Sequence, residues 1–190
     1  MFLLMSMKII NLFSTNLLII DDCKLNLSDI EDKCFDHLKN VPSSKKSNQG
    51  GYQGANFYHK DLFDFIEKIV VQNPKKPILE YDIYSWLNIN KQGDYNEIHS
   101  HNPHEGNFLS GVFYVRCPIN SGRIRFYDPR PNIGSSPEMM YYCDGARYQW
   151  IEPKSNMLLL FPSWLEHDVE INKSKKERVS IAFNIYNLKY

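Results

Sequence analysis

The second part of the chain constrains the fold most. From Ile78 onwards, short runs of β-branched and aromatic residues alternate with turn residues at short intervals, a spacing typical of an all-β sandwich or barrel. The helical patterns lie before Pro77, so helices precede the sheet and do not alternate with strands. This order predicts a mainly β protein, in which two N-terminal helices pack on the outside of a β-sandwich.

Its 190 residues fit one domain of ordinary size. We expect a single domain, 1–190, with an N-terminal strand and supporting helices in 1–77 and the β core in 78–190. Ser28 and Glu31 form a capping box that predicts the start of the first helix, and an apolar stripe ending before Pro74 predicts the second. The polar stretch between them, Ser43 to Gly54, is predicted to be a loop.

Composition excludes several classes of function. The 22 basic and 22 acidic residues balance to a formal net charge of zero, which argues against nucleic acid or an anionic membrane as the main partner. A small molecule or a peptide or protein side chain is the expected substrate.

Residues 1–5 lack the basic flank of a signal peptide, and no apolar run is long enough to span a bilayer. We therefore predict a cytoplasmic protein. The four cysteines form no C-x-x-C pair and are predicted to be free thiols, at Cys23, Cys34, Cys117 and Cys143.

The last predicted strand has one apolar and one polar face. Alternation puts Arg178, Ser180 and Asn184 on the face opposite the apolar one. A guanidinium, a hydroxyl and an amide together suit the wall of a pocket. Because arginine can bind a carboxylate through two parallel hydrogen bonds, Arg178 is a candidate anion-binding residue.

Three histidines form a candidate metal site. His99 and His101 point to the same side of a strand, so both rings can reach one ion, and His167 opens a later strand. Imidazoles suit iron, zinc, copper or nickel. An H-x-H pair alone is a weak motif that is more often a surface or core pair. The later His167, followed by Arg178 on a pocket face, favours the metal site.

Several stretches in the same order resemble the 2-oxoglutarate and iron(II) dependent dioxygenases, and most closely the family named "putative 2OG-Fe(II) oxygenases". They cover roughly the last hundred residues: NKQGDYNEIHSH (90–101), LSGVFYV (109–115), SGRIRFYDPR (121–130), LLLFPSWLEH (158–167) and ERVSIAFN (177–184). The resemblance implies a double-stranded β-helix (jelly roll, cupin-like) core with Fe(II) and 2-oxoglutarate as cofactors. It also implies that the metal ligands are His99, His101 and His167.

The same resemblance implies the residues that bind the cosubstrate. Arg178 falls where the superfamily places the residue that binds the far carboxylate of 2-oxoglutarate, and Ser180 completes an R-x-S variant. Tyr114 matches a strand tyrosine that often helps to hold that carboxylate. Asn90 occupies a position that is often tyrosine and is included as a cosubstrate-binding candidate.

Position 101 departs from the superfamily, which has a carboxylate there. Three neutral imidazoles leave the metal with one more unit of positive charge, which affects iron affinity, redox potential and metal choice. Two interpretations stay open: His101 is a ligand, or it lies behind the ligands while Glu97 or Glu105 reaches the metal.

The leading hypothesis is an enzyme that couples 2-oxoglutarate decarboxylation to hydroxylation of a substrate. One alternative is a three-histidine, cupin-like dioxygenase that uses no 2-oxoglutarate. Another is a non-catalytic β-sandwich that binds a carboxylate ligand or a structural zinc. Trp164, Arg125 and Arg130 are candidate substrate contacts at the pocket mouth, although Trp164 also suits a core cap and Arg130 a turn with an ion pair to Asp128.

Overall fold

The computed structural model describes residues 14–72, 80–101, 106–130 and 147–189. Two helices lie in the first of these segments, α1 (Leu27–Asn40) and α2 (Lys60–Gln72). The strands that the described residues form are, in chain order, β1 (Leu18–Ile20), β2 (Asn48–Gln49), β3 (Tyr52–Ala55), β4 (Glu80–Asn90), β5 (Tyr95–His99), β6 (Asn107–Arg116), β7 (Ile124–Tyr127), β8 (Tyr148–Ile151), β9 (Leu158–Pro162), β10 (His167–Val169) and β11 (Arg178–Lys189).

The strands form two antiparallel sheets. The larger sheet has the order β1-β9-β6-β11-β4-β3 and the smaller one β2-β5-β10-β7-β8. From β4 to β11 the chain passes repeatedly between the two sheets, and strands distant in sequence become neighbours. This winding is that of a double-stranded β-helix, so the predicted fold class is confirmed.

The larger sheet packs against both helices on its outer face. Helix residues such as Ile30 and Ile66 share one apolar cluster with the fully buried residues Val179, Ile181 and Phe183 of β11. Burying each large apolar side chain contributes about 1.5–3 kcal/mol, so the helices are held mainly by this layer. The predicted position of the helices outside the sheet is confirmed.

A second apolar cluster lies between the sheets. Val112 and Tyr114 of β6 face Phe126 of β7 there, next to Phe161 of β9. Since side chains alternate along a strand, Arg178 and Ser180 of β11 also face this interior, opposite the apolar face of the same strand. The space between the sheets therefore combines an apolar layer with a polar wall.

Two local predictions were wrong. Helix α1 begins at Leu27, and its cap is Asn26, two residues before the predicted cap Ser28. The side chain of Asn26 accepts the hydrogen bond from the Asp29 N–H at 3.5 Å. Asparagine caps helices as well as serine does. The polar stretch 43–54 is not only a loop, since it contributes β2 and β3, which pair with β5 and β4.

Cys23, Cys34 and Cys117 are free thiols, as predicted, and Cys143 lies outside the described residues. Burial raises the pKa of each described thiol to about 12, so all three are protonated at neutral pH. Neither described helix is long and apolar enough to cross a membrane.

Candidate metal and cosubstrate site

The three predicted histidines meet between the two sheets. His99 ends β5 and His167 begins β10, and the two are directly paired across these strands. His101 follows two residues after His99. One ligand atom from each ring can be chosen so that all three lie within 4.8 Å of one another. Among the described residues, the cluster contains no carboxylate.

Main-chain carbonyl groups orient two of the rings. The Nδ1 of His99 is 2.7 Å from the carbonyl oxygen of Glu97, and the Nδ1 of His167 is 2.9 Å from that of Leu165. A carbonyl only accepts, so each Nδ1 carries the hydrogen and each Nε2 keeps a free lone pair. Metal-binding histidines are commonly oriented in this way.

His101 is held differently from the other two. Its backbone N–H donates to the carbonyl of Ser163 at 2.8 Å, and its ring lies 5.5 Å from the ring of Trp86. The Nδ1 of His101 is 3.4 Å from the side-chain amide nitrogen of Asn184. Among the described residues, a side chain and not a main-chain carbonyl therefore contacts the Nδ1 of this ring.

The site favours neutral imidazoles. Burial, together with the neighbouring His99 ring, lowers the pKa of His101 to about 4 and that of His167 to about 3. Burial also lowers the pKa of His99. Rings that stay neutral at physiological pH have their lone pairs available to a metal without first losing a proton.

Arg178 is buried with only 2% of its surface exposed. Its Nη1 donates to the carbonyl oxygens of Ser121 at 2.7 Å and Gly122 at 3.3 Å. Among the described residues, no carboxylate lies within ion-pair distance of its guanidinium. Burial lowers the pKa of Arg178, which reflects the cost of keeping a charge away from water. A buried guanidinium of this kind is suited to bind an anionic ligand.

The other predicted cosubstrate residues surround Arg178. Asn90 is paired with Arg178 across β4 and β11, and Tyr114 is paired with Ser180 across β6 and β11. Burial raises the pKa of Tyr114, so its phenol is neutral. The side-chain oxygen of Asn90 is buried without a hydrogen-bond partner, and so is that of Asn88 two residues earlier. Polar groups left unpaired in a cavity are expected to bind a ligand or water.

Two cavities meet at the histidines. The inner one, of about 60 Å³, is lined by all three histidines together with Arg178 and Ser180. Arg178, Ser180 and Ala182 line it at alternate positions of β11, so it runs along about 13 Å of strand. The outer cavity, of about 490 Å³, shares His99 and His101 and opens past aromatic and polar side chains: Tyr84, Trp86, Tyr186, Gln53, Lys46 and Ser47. The inner cavity suits a small bound molecule, and the outer one suits something larger.

The three predicted substrate residues lie elsewhere. Arg125 is on the opposite face of β7 from Phe126, where it forms a two-pronged ion pair with Asp168. Arg130 forms an ion pair with Asp128, the Nε distance being 2.9 Å. Trp164 is 43% exposed. None of the three lines either cavity around the histidines, although their roles in substrate binding stay predictions.

The sequence reasoning missed several cavity residues. Asn88 and Trp86 precede Asn90 on β4 at intervals of two. Asn90 was selected by the family resemblance, and strand alternation counted back from it could have selected the other two. Ser47 and Gln53 come from the stretch that was predicted to be a loop, where no periodicity marks a cavity residue. The hydroxyl of Ser47 is 3.4 Å from the Nε2 of His99.

With this geometry, comparison with protein families gives a decisive match. The model of the family described as "Putative 2OG-Fe(II) oxygenase" matches residues 84–184, more than half of the chain. The chain belongs to this family. The 2OG-Fe(II) oxygenase family is the one that the sequence motifs indicated, and its cofactors are Fe(II) and 2-oxoglutarate. No curated protein sequence matches the chain.

Solved structures of 2OG-Fe(II) oxygenases have the same fold. A prolyl hydroxylase from Trichoplax adhaerens, in complex with a hypoxia inducible factor peptide fragment, is 15% identical with a TM-score of 0.70, covering 92% of this chain and 84% of that chain. A Pseudomonas putida prolyl-4-hydroxylase is 14% identical with a TM-score of 0.65, covering 91% and 93%. HygX from Streptomyces hygroscopicus, with nickel and 2-oxoglutarate bound, is 11% identical with a TM-score of 0.66, covering 90% and 83%.

The residues present fit the cofactors of the family. Three neutral imidazoles within 4.8 Å of one another are a suitable donor set for Fe(II). The buried guanidinium and the unpaired amide oxygens of Asn88 and Asn90 lie on the wall of the same inner cavity. A dicarboxylate that reaches from the histidines to Arg178 in this cavity would supply Arg178 with the carboxylate partner that the described residues do not provide.

Proposed function

We propose that this protein is a non-haem iron oxygenase that couples decarboxylation of 2-oxoglutarate to hydroxylation of a substrate, and that residues 1–190 form a single domain. One observation carries the proposal. A fully buried guanidinium with no carboxylate partner among the described residues lines the same small cavity as three neutral histidines.

In this proposal the histidines hold the metal, through His99, His101 and His167. Fe(II) together with 2-oxoglutarate supplies the oxidant that attacks a C–H bond of the substrate. Arg178 binds the far carboxylate of 2-oxoglutarate through charge-assisted hydrogen bonds. Ser180, Tyr114 and Asn90 are neutral hydrogen-bonding groups beside it.

The apolar cluster next to the site excludes water. Phe126 and Phe161 contact the ring of His167, with ring centroids 5.9 and 4.9 Å away. A dry site strengthens the attraction between Arg178 and a carboxylate, because less water screens the charges. It also limits the side reactions of an oxidant with solvent.

The substrate is proposed to enter through the outer cavity, which is lined by His99 and His101 but not by Arg178. Among the described residues that line it, Lys46 is the only one with a permanent charge. A small molecule or a peptide or protein side chain fits this space, and both kinds of ligand are bound by proteins of this fold.

A second candidate is a three-histidine dioxygenase that uses no 2-oxoglutarate. The absence of a carboxylate from the described metal cluster favours it. Glu97, the described acidic alternative, is exposed and contacts His99 only through its backbone. Glu105 lies outside the described residues. The buried Arg178 favours the first candidate, because a substrate bound directly to iron gives this residue no role.

The test is metal analysis of protein purified without chelators or a histidine tag, combined with succinate release from 2-oxoglutarate and Fe(II). Iron with succinate release supports the proposal. Iron without it supports the second candidate, and zinc or no metal supports a non-catalytic binding protein. Arg178→Gln should abolish succinate release at limiting 2-oxoglutarate. Arg125→Gln is the matched control, since Arg125 lies on the outer face of the smaller sheet and should leave release unchanged.

A further inference from the structure

We propose that Asn184, held by Ser110 and Ser163, sets the tautomer of His101 so that this ring binds the metal through Nε2. The proposal rests on the metal site of the proposed function but not on its reaction. It makes Asn184 a positioning residue, which acts on the metal through His101.

A continuous chain of hydrogen bonds leads to the ring of His101. The hydroxyl of Ser110 is 3.1 Å from the hydroxyl of Ser163 and 2.8 Å from the side-chain oxygen of Asn184. The amide nitrogen of Asn184 is 3.4 Å from the Nδ1 of His101. This series of hydrogen bonds returns to His101, because the main-chain carbonyl of Ser163 accepts from the backbone N–H of His101 at 2.8 Å.

Little water can compete with this chain. Ser110 is 1% exposed, Ser163 is 0% exposed and Asn184 is 7% exposed. An unmade hydrogen bond in such a place costs about 1–3 kcal/mol. The groups are therefore expected to stay bonded to one another, and the orientation of one fixes the orientation of the next.

The chain of hydrogen bonds can run in two directions. In one, the amide of Asn184 donates to the Nδ1 of His101, which then has its hydrogen on Nε2 and offers no lone pair there. In the other, the amide is turned over: its NH₂ donates to the hydroxyl of Ser110, and its carbonyl accepts from the Nδ1–H. Both orientations use the same atom positions, since the oxygen and nitrogen of an amide are nearly the same size.

Metal binding selects the second direction. His99 and His167 are fixed with a free Nε2 by carbonyls that cannot donate. Among the described residues, no carbonyl contacts the Nδ1 of His101 and the amide of Asn184 does. This amide must therefore present its oxygen for the third ring to match the other two. The serine hydroxyls permit this, because each can donate or accept.

The experiment uses the full chain loaded with Co(II), a paramagnetic probe that shifts the NMR signals of ring N–H protons on bound histidines. The wild type should show three shifted signals that disappear in D₂O, one for each bound ring. The signal of His101 should show a nuclear Overhauser effect to the β protons of its own side chain, because a hydrogen on Nδ1 lies close to them and a hydrogen on Nε2 does not. His101→Ala should lose one and so identify the signal of His101. Asn184→Leu keeps a similar volume without hydrogen-bonding groups. It should lose the His101 signal and bind Co(II) about 10- to 100-fold more weakly.

Asn184→Asp is the matched control at the same position. A carboxylate only accepts, so it should retain the His101 signal and bind Co(II) at least as tightly as the wild type. Two exchangeable signals in the wild type would overturn the proposal, even if the leucine variant failed to fold. Equal behaviour of the leucine and aspartate variants, or unchanged affinity in the leucine variant, would overturn it too.

Failure of this proposal differs from failure of the proposed function. Three exchangeable signals without succinate release would leave the role of Asn184 intact and remove the oxygenase reaction. Succinate release with only two signals would leave the reaction intact and remove His101 as an Nε2 ligand.

Discussion

Replacing Arg178 by alanine tests whether this residue binds the far carboxylate of the cosubstrate. The guanidinium is almost fully buried, and only its Nη1 hydrogen bonds to the Ser121 and Gly122 carbonyls are found within the described chain. Its remaining donors suit a carboxylate. Two charge-assisted hydrogen bonds of about 1.5 kcal/mol each give about 3 kcal/mol, so Arg178→Ala should weaken 2-oxoglutarate binding about 100-fold or more.

Pyruvate makes the measurement specific, since it carries the same 2-oxo acid group without the far carboxylate. Both acids are titrated into Fe(II)-loaded protein in the absence of oxygen. Binding is followed by the visible absorption band that arises from charge transfer between Fe(II) and the bound 2-oxo acid. The wild type should prefer 2-oxoglutarate by about 100-fold, and Arg178→Ala should bind both acids alike. Arg178→Lys keeps a positive charge but not the planar guanidinium, so its preference for 2-oxoglutarate over pyruvate should lie between those of the wild type and the alanine variant. Equal loss of both acids in the alanine variant would refute the reasoning, because Arg178 would then act on the metal site as a whole.

Three further predictions follow from the charges and ion pairs of the site. His101→Asp should bind Fe(II) about tenfold more tightly than the wild type, measured by chelator competition, because a carboxylate neutralises one unit of metal charge; weaker binding would argue against His101 as a ligand. Metal-free protein should lose thermal stability as the pH falls below about 6.5, because unfolded histidines bind protons there while the folded pKa values of His101 and His167 are about 4 and 3. His101→Gln/His167→Gln should flatten this dependence, and an equally steep one would assign it to other groups. Arg125→Gln should lower the free energy of unfolding in urea by about 1–2 kcal/mol, because Asp168 loses its ion pair and keeps only the hydrogen bond from the Tyr127 hydroxyl at 2.8 Å; a change in substrate turnover without a change in stability would instead support the predicted substrate contact.

The β core was predictable from the sequence because alternation along a strand is a local property. The residues of β11 fall on the predicted faces, with Phe183 in the apolar layer and Arg178 in the cavity. The same rule applied to β7 would have placed Arg125 outside, since Phe126 is in the core. The strand alternation was therefore visible in the sequence, but Arg125 was proposed as a substrate contact because of its charge and not because of its position on the strand.

Other features depended on contacts that no local pattern contains. Ser47 and Gln53 belong to a polar stretch whose pairing with β5 and β4 is set by the tertiary structure. The contact between Asn184 and His101 joins residues 83 positions apart. The start of α1 was missed for a simpler reason, because Asn26 and Ser28 are both good caps and the sequence alone does not rank them.

The carbonyl oxygens that orient His99 and His167 have a consequence for how the site can change by mutation. They belong to the main chain, so almost any replacement of Glu97 or Leu165 preserves the oxygen that each ring needs. The ring of His101 depends on an amide side chain, which one codon change can remove. Among related proteins, variation in ligand type and metal preference should therefore arise at the position of His101, while the positions of His99 and His167 stay invariant.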